Sequence, residues 1–169
     1  MNPVRLSLLA IVVLALGVGG YTTLRALGPK PMAPDAGYTV LDGSRSSIGQ
    51  LRGKVVLVNF WATSCAVCVQ EMPQIVATHE KFKNRGFSTL AVSMRYDPPA
   101  HVIDFAERRA LPFAVAIDNT GAIANAFGNV ELTPTSVLID QHGEIVERIV
   151  GAPDFPALHA RIEKLLAQR

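Results

Sequence analysis

Cys65 and Cys68 are the only cysteines of this 169-residue chain, and they stand three positions apart in the stretch "FWATSCAVC". A disulfide across this spacing closes almost no loop, so it would add little stability by restricting the unfolded chain. Three interpretations remain for the pair: a redox-active dithiol, half of a metal site, or a chance placement. The elements that position the two thiols favour the first.

The segment in front of the cysteines is a near-continuous apolar run, "VVLVNFWA" (55–62), which is typical of a parallel strand buried on both faces. From about Cys65 to Arg85 the apolar residues take a helical spacing, so a helix follows this strand directly. The same patterns predict other strands at 38–43, 87–94, 113–118, 136–140 and 144–150, and the last two of these should form an antiparallel hairpin. They also predict helices at 101–110, 119–127 and 155–169. The order βαβαβαββα predicts an α/β fold, in which a central sheet carries helices on both faces.

This layout assigns a chemical role to the cysteine pair. Reaction sites in such sheets lie where the carboxyl end of a strand turns into a helix. Thr63 or Ser64 can cap the helix, which places Cys65 at or just before the first turn, where free N–H groups and the helix dipole favour an anion. Because the thiolate is the nucleophile in disulfide exchange, this position should lower the pKa of Cys65. Cys68 lies one turn deeper and points the same way, so it can attack a mixed disulfide on Cys65.

Other ligand classes fit the sequence less well. Tetrahedral zinc takes four ligands, whereas the four histidines stand singly along the chain. A Cu(I) site made by both thiolates stays open as an alternative, although no methionine or histidine cluster accompanies them. The net charge of +2, without a block rich in lysine and arginine, excludes a typical nucleic-acid-binding protein. We therefore expect no metal, and no cofactor beyond a redox-active Cys65–Cys68 disulfide.

The N-terminal part of the chain predicts a membrane anchor. The stretch "LSLLAIVVLALGVGGYTTL" between Arg5 and Arg25 has no charge. As a helix it would be about 28 Å long, close to the roughly 30 Å hydrocarbon core of a bilayer. A cleaved signal peptide is the alternative, but its apolar region is usually shorter. The predicted organisation is an anchor at 1–27, a proline- and glycine-rich linker at 28–37 and a single domain at 38–169. The short N-terminal flank favours an N-terminus on the cytoplasmic side, which places the domain outside the cytoplasm.

Two blocks of the sequence resemble a known family. "VVLVNFWATSCAVCVQEMP" is similar to the active-site block, and "LTPTSVLIDQHGEIVERIVG" to the proline loop and hairpin, of the membrane-anchored thioredoxin-like reductases of bacteria, the TlpA/ResA/CcmG group. The resemblance implies a thioredoxin-like fold with a central mixed sheet behind one N-terminal transmembrane helix. It also implies a single-pass protein of the bacterial inner membrane whose domain faces the periplasm. Its partners would be disulfides of secreted or cytochrome-maturation proteins and a membrane electron donor of the thiol-disulfide type.

The resemblance also implies roles for individual residues. Cys65 would be the attacking thiol and Cys68 the resolving thiol. Thr133 and Pro134 would form a cis-proline loop beside them, and the backbone of Thr133 would be free to pair with an extended substrate strand. Trp61 would lie beside the site as a substrate contact, or would be a buried structural tryptophan.

Some residues depart from the pattern or leave its chemistry open. Asn59 stands where cytoplasmic thioredoxins carry a buried aspartate, so the proton of Cys68 must go to water, to Glu71 or to the substrate thiolate. Glu71 is thus a candidate proton-transfer group, and a solvated helical glutamate is the alternative. Ser64 replaces a tryptophan, which opens the surface around Cys65. A disulfide oxidase or isomerase remains an alternative to a reductase, since thiolate stabilisation decides the direction.

Overall fold

The computed structural model describes residues 30–168, so the predicted anchor at 1–27 lies outside the described residues. The strands of the described part are β1 (Gly37–Thr39), β2 (Arg45–Ser47), β3 (Val55–Trp61), β4 (Phe87–Ser93), β5 (Ala114–Ile117), β6 (Thr135–Ile139) and β7 (Ile145–Val150). The α-helices of this part are α1 (Ala66–Phe82), α2 (Pro99–Arg108), α3 (Ala122–Ala126) and α4 (Phe155–Leu166), and short 3-10 helices lie at Ile48–Leu51 and Lys83–Arg85. Each strand and helix predicted from residue 55 onward is present. None of the helices between residues 30 and 168 is long and apolar enough to cross a bilayer.

The central sheet has the strand order β5-β4-β3-β6-β7. β3, β4 and β5 run parallel, whereas β6 is antiparallel to β3 and β7 is antiparallel to β6. The mixed sheet predicted from the sequence is therefore confirmed. Since α1 and α2 connect successive parallel strands in one direction along the sheet, right-handed crossovers place both on the same face.

Alternating residues of β3 divide the core between the two faces of the sheet. All seven residues of β3 are buried. Val55 and Leu57 belong to the cluster that includes the apolar faces of α1, α2 and α4. Val56 and Val58 belong to the opposite cluster, which includes α3 and β1. Helices cover both faces, and β3 is held between them with its carboxyl end leading into α1.

The N-terminal edge of the domain differs from the prediction. β1 pairs with β2 in a separate two-stranded sheet, and β2 was not predicted because its polar sequence, Arg-Ser-Ser, lacks an apolar alternation. Within the predicted linker, the Ala33 N–H donates to the Gly143 carbonyl at 2.8 Å, and the Pro31 carbonyl accepts from the Ile145 N–H at 2.8 Å. The compact unit accordingly begins at Pro31, before the predicted start at Tyr38.

Candidate active site

The two cysteines form a disulfide at the N-terminus of α1. Cys65 is itself the N-cap residue, and its Sγ accepts a hydrogen bond from the Cys68 backbone N–H at 3.2 Å. The predicted position of Cys65 at the first turn is confirmed. The predicted cap is wrong, because neither Thr63 nor Ser64 caps the helix; the sulfur takes the place of a capping oxygen.

The two sulfurs differ in their access to solvent. Cys65 is partly buried, whereas Cys68 is 0% exposed and belongs to the core cluster beneath the disulfide. An external disulfide can therefore reach Cys65 but cannot reach Cys68 directly. This asymmetry permits one thiol to attack and the other to resolve.

The proline loop lies beside the end of β3. The Thr133–Pro134 peptide bond is cis, which confirms the predicted geometry. β6 begins at Thr135, directly after this bond, and Thr135 pairs with Phe60 in β3. Thr133 and Pro134 thus lie next to the end of β3 that leads to Cys65. Across residues 30–168, no hydrogen bond involves the backbone N–H or carbonyl of Thr133, so both groups are available to a bound chain.

Glu71 lies on α1, three residues after Cys68 and therefore on the same side of the helix. Its side chain is buried, 4% exposed, and its Oε1 accepts a hydrogen bond from Asn59 Nδ2 at 3.1 Å. Asn59 Nδ2 also donates to Ser136 Oγ at 3.1 Å. Burial raises the pKa of Glu71 to about 7, although the Asn59 hydrogen bond opposes the rise. The alternative of a solvated helical glutamate is wrong, and a carboxyl with this pKa can gain or lose a proton near neutral pH.

Trp61 lies in the core below the disulfide. It is 0% exposed, and its ring packs against Phe105 with the ring centroids 5.0 Å apart. The predicted direct contact between Trp61 and a substrate is wrong, because the side chain has no exposed surface; the structural alternative applies. Among the described residues, three buried polar atoms lack a hydrogen-bond partner: Asn59 Oδ1, Trp61 Nε1 and Glu71 Oε2.

Asp97 was not identified as a site residue from the sequence, although it lies just before α2. The helix begins at Pro99, and the Asp97 carboxylate, 2% exposed, points instead toward the segment before Cys65. It accepts hydrogen bonds from the Thr63 N–H at 2.6 Å, the Thr63 hydroxyl at 2.5 Å and the Ser93 hydroxyl at 3.3 Å. The one available signal was an acidic residue shortly after a buried parallel strand, at the sheet edge where Cys65 was expected.

Exposed apolar side chains occur in the segments that contain the site residues. Val67, between the two cysteines, is 46% exposed, and Leu132, next to Thr133, is 66% exposed. Tyr96 is also exposed, and its hydroxyl lies 3.2 Å from Thr133 Oγ1. We call these three side chains, Val67, Tyr96 and Leu132, the apolar rim. No three histidine, cysteine, aspartate or glutamate side chains gather as a metal site anywhere in residues 30–168.

Proteins with the same architecture are known. Residues 29–164 match the Redoxin family. Thiol-disulfide oxidoreductase ResA from Geobacillus kaustophilus is 33% identical over 165 residues, which cover 95% of this chain and 94% of the relative. The solution structure of a putative thioredoxin from Neisseria meningitidis superposes with a TM-score of 0.75 at 41% identity, covering 83% of this chain and 92% of that one. A putative thiol:disulfide interchange protein DsbE from Chlorobium tepidum has a TM-score of 0.75 at 30% identity, covering 82% and 98%.

The comparisons cover the disulfide-bearing domain from end to end rather than a single motif. The matched region includes β3, the disulfide at the start of α1 and the cis-proline loop, which are the parts that the sequence had singled out. The partly exposed Cys65 sulfur and the buried Cys68 sulfur lie at the start of α1, next to a mixed sheet. Together with the matches, this arrangement shows that the chain belongs to the Redoxin family and is a thioredoxin-like thiol-disulfide oxidoreductase.

Proposed function

We propose that this enzyme reduces disulfides in secreted or cytochrome-maturation proteins outside the cytoplasm. In this proposal the 1–27 segment is a single membrane anchor in the bacterial inner membrane, the domain faces the periplasm, and a thiol-disulfide carrier in the membrane supplies electrons. The Cys65–Cys68 disulfide is the only redox group required. One observation carries the proposal: Cys65 is the accessible N-cap sulfur of α1, while Cys68 is fully buried next to it.

The reaction transfers two electrons by two sulfur exchanges. The Cys65 thiolate attacks one sulfur of the substrate disulfide, which forms a mixed disulfide and releases the other substrate sulfur as a thiolate. Cys68 then loses its proton and attacks Cys65 Sγ, which forms the Cys65–Cys68 disulfide and releases the second substrate sulfur. The substrate is reduced to a dithiol and the enzyme is oxidised by the same two electrons. Glu71, one helical turn from Cys68 and with a pKa of about 7, is the proposed acceptor for the Cys68 proton.

The charges around the pair support the direction of a reductase. Strong disulfide oxidants stabilise the reduced thiolate form. Here the side chains between the cysteines are Ala66 and Val67, and no lysine or arginine is buried among residues 30–168. Modest thiolate stabilisation favours the disulfide, so the dithiol is a good electron donor.

The surface at the site supports a protein substrate. The free backbone groups of Thr133 can pair with an extended segment, in the manner of a strand added to a sheet edge. The apolar rim supplies exposed hydrophobic area in the same segments. The names of the relatives, thiol-disulfide oxidoreductase ResA and thiol:disulfide interchange protein DsbE, are consistent with a disulfide substrate.

Three measurements test the proposal. The reduction potential of the full-length protein, equilibrated with glutathione or dithiothreitol, should be below about −200 mV, whereas a value near −120 mV would identify an oxidant. In cells, Cys68→Ala should accumulate mixed disulfides on Cys65 that mass spectrometry identifies, and the matched variant Cys65→Ala should accumulate none. Equal trapping by both variants would refute the order of attack. A membrane-impermeant maleimide should label Cys65 in intact spheroplasts under reducing conditions; protection from the reagent would refute the periplasmic orientation.

A further inference from the structure

One short turn after β4 contacts both of the segments that form the site. The Met94 N–H donates to the Trp61 carbonyl at 3.0 Å, where β3 ends. Tyr96 contacts Thr133 through their hydroxyls at 3.2 Å. Asp97 accepts two hydrogen bonds from Thr63, from its N–H and from its hydroxyl. This turn, which itself lies outside the disulfide and the proline loop, is therefore connected to both.

The geometry points to Asp97 as a positioning residue, which holds Thr63 and thereby keeps Cys65 at the N-terminus of α1 after the disulfide has been reduced. This inference rests on the proposed function, because it concerns the reactivity of Cys65 as the attacking thiol. It extends that function to a residue that touches neither sulfur directly.

In the reduced enzyme the position of Cys65 depends on non-covalent contacts. In the oxidised protein the covalent S–S bond ties Cys65 to the helix. When that bond is broken, the Cys65 carbonyl still accepts the Val69 N–H at 3.0 Å, and the orientation of Cys65 depends in addition on the connecting residues 62–64, of which Ser64 is exposed. The Cys65 N–H bonds back to the Ala62 carbonyl at 3.1 Å, within the same short segment. Thr63 is the residue of the segment whose polar groups bond to a separate part of the fold.

The two hydrogen bonds from Thr63 constrain it strongly. They end on different oxygens of one carboxylate, Oδ2 for the N–H and Oδ1 for the hydroxyl, so they fix both the position and the orientation of Thr63. Because the Asp97 carboxylate is buried, a lost partner is not fully replaced by water. A Cys65 thiolate held at the N-cap can accept the Cys68 N–H, as the sulfur does in the disulfide form.

The third donor to Asp97 provides a matched control. The Ser93 hydroxyl bonds to the same carboxylate, at Oδ2, but Ser93 is the last residue of β4 and is fixed by its pairing with Trp61 in the parallel ladder. Removing the Ser93 hydroxyl therefore disturbs the carboxylate without releasing the segment before Cys65. If Asp97 only stabilised the fold, losing either hydroxyl should lower the reactivity of Cys65. If Asp97 positions Thr63, only the loss of the Thr63 hydroxyl should lower it.

The test measures alkylation of Cys65 by iodoacetamide against pH, in full-length protein carrying Cys68→Ser so that one thiol remains. We compare Thr63→Val, which keeps the shape and loses the hydroxyl, with Thr63→Ser, which keeps the hydroxyl, and with Ser93→Ala. At about pH 6 the Thr63→Val rate should fall about fivefold, while Thr63→Ser and Ser93→Ala stay within about twofold of the unsubstituted background. At about pH 10, where the thiol is ionised in every variant, all rates should converge.

The outcomes separate this inference from the proposed function. If Cys65 in the background protein alkylates no faster than a peptide cysteine at any pH, the proposed function fails. If Cys65 is reactive but Thr63→Val matches Thr63→Ser, or if Ser93→Ala slows equally, the positioning role of Asp97 is refuted. Thermal unfolding confirms that each variant is folded, and Thr63→Ala replaces Thr63→Val if the latter does not fold.

Discussion

Replacing Glu71 by glutamine should raise the free energy of unfolding above that of the unsubstituted protein, and the gain should be larger at pH 8 than at pH 4. Burial raises the pKa of Glu71 from 4.5 to about 7. Between these values the folded protein keeps a proton that the unfolded chain has released, so the free energy of unfolding falls as the pH rises. The stabilisation is fully present below pH 4.5 and is lost as the pH rises through about 7.

The magnitude follows from the size of this shift. Each pKa unit corresponds to about 1.36 kcal/mol, so ionising the buried carboxyl costs the folded state about 3 kcal/mol. Glutamine does not ionise, and its side-chain oxygen can still accept the hydrogen bond from Asn59. The difference in the free energy of unfolding, Glu71→Gln minus unsubstituted, should therefore increase by about 3 kcal/mol between pH 4 and pH 8.

The assay is urea denaturation of the oxidised proteins at a series of pH values, because the cysteines do not titrate while they are joined. Glu107→Gln serves as the matched control, since Glu107 is an exposed glutamate on α2. Its difference from the unsubstituted protein should change little with pH. A Glu71→Gln difference that varies by less than about 1 kcal/mol over the range would refute the reasoning that burial keeps this carboxyl protonated.

Three further predictions concern packing, substrate contact and helix capping. Trp61→Phe should lower the free energy of unfolding by about 1–3 kcal/mol in urea titrations, because the buried indole packs on Phe105. It should leave the KM for a protein disulfide unchanged, because the indole has no exposed surface. A raised KM without lost stability would contradict this prediction. Leu132→Ser should raise the KM for a protein disulfide about threefold or more without changing the rate with a small disulfide. The control Met32→Ser should change neither, because Met32 is exposed beside the turn between β6 and β7, whereas Leu132 lies just before the start of β6. Asp118→Ala should lower the free energy of unfolding by about 1–2 kcal/mol in thermal denaturation, since its carboxylate accepts the Ile123 and Ala124 N–H groups in the first turn of α3. An unchanged midpoint would show that solvent replaces this cap.

Much of the fold could be predicted because its signals are local. The apolar run of β3, the change to helical spacing after Cys65 and the turn between β6 and β7 are contained in short windows of sequence. Their order then restricts the arrangement to an α/β sheet with the cysteines at the carboxyl end of a strand. β2 was missed for the corresponding reason: its three polar residues form a strand only because β1 lies next to them.

The capping error shows where local reasoning ends. A hydroxyl residue just before a helix is a common N-cap, and Thr63 and Ser64 both fit that rule. In the fold, the Thr63 hydroxyl bonds to Asp97, 34 positions away along the chain, and the sulfur of Cys65 accepts the helical N–H instead. The tendency of a hydroxyl side chain to cap the following helix was outweighed by its hydrogen bond to the buried carboxylate of Asp97, in the turn after β4.

The sequence by itself determined the reaction class, because two thiols at this spacing at the start of a helix can close and open a disulfide wherever the rest of the domain lies. Only the tertiary structure decided which groups tune that pair. The burial of Glu71, its contact with Asn59 and the further contact of Asn59 with Ser136, 77 positions away, arise when β3, α1 and β6 pack together. The energy of a charge depends on the solvent and dipoles that surround it, and those surroundings exist only after distant segments have met.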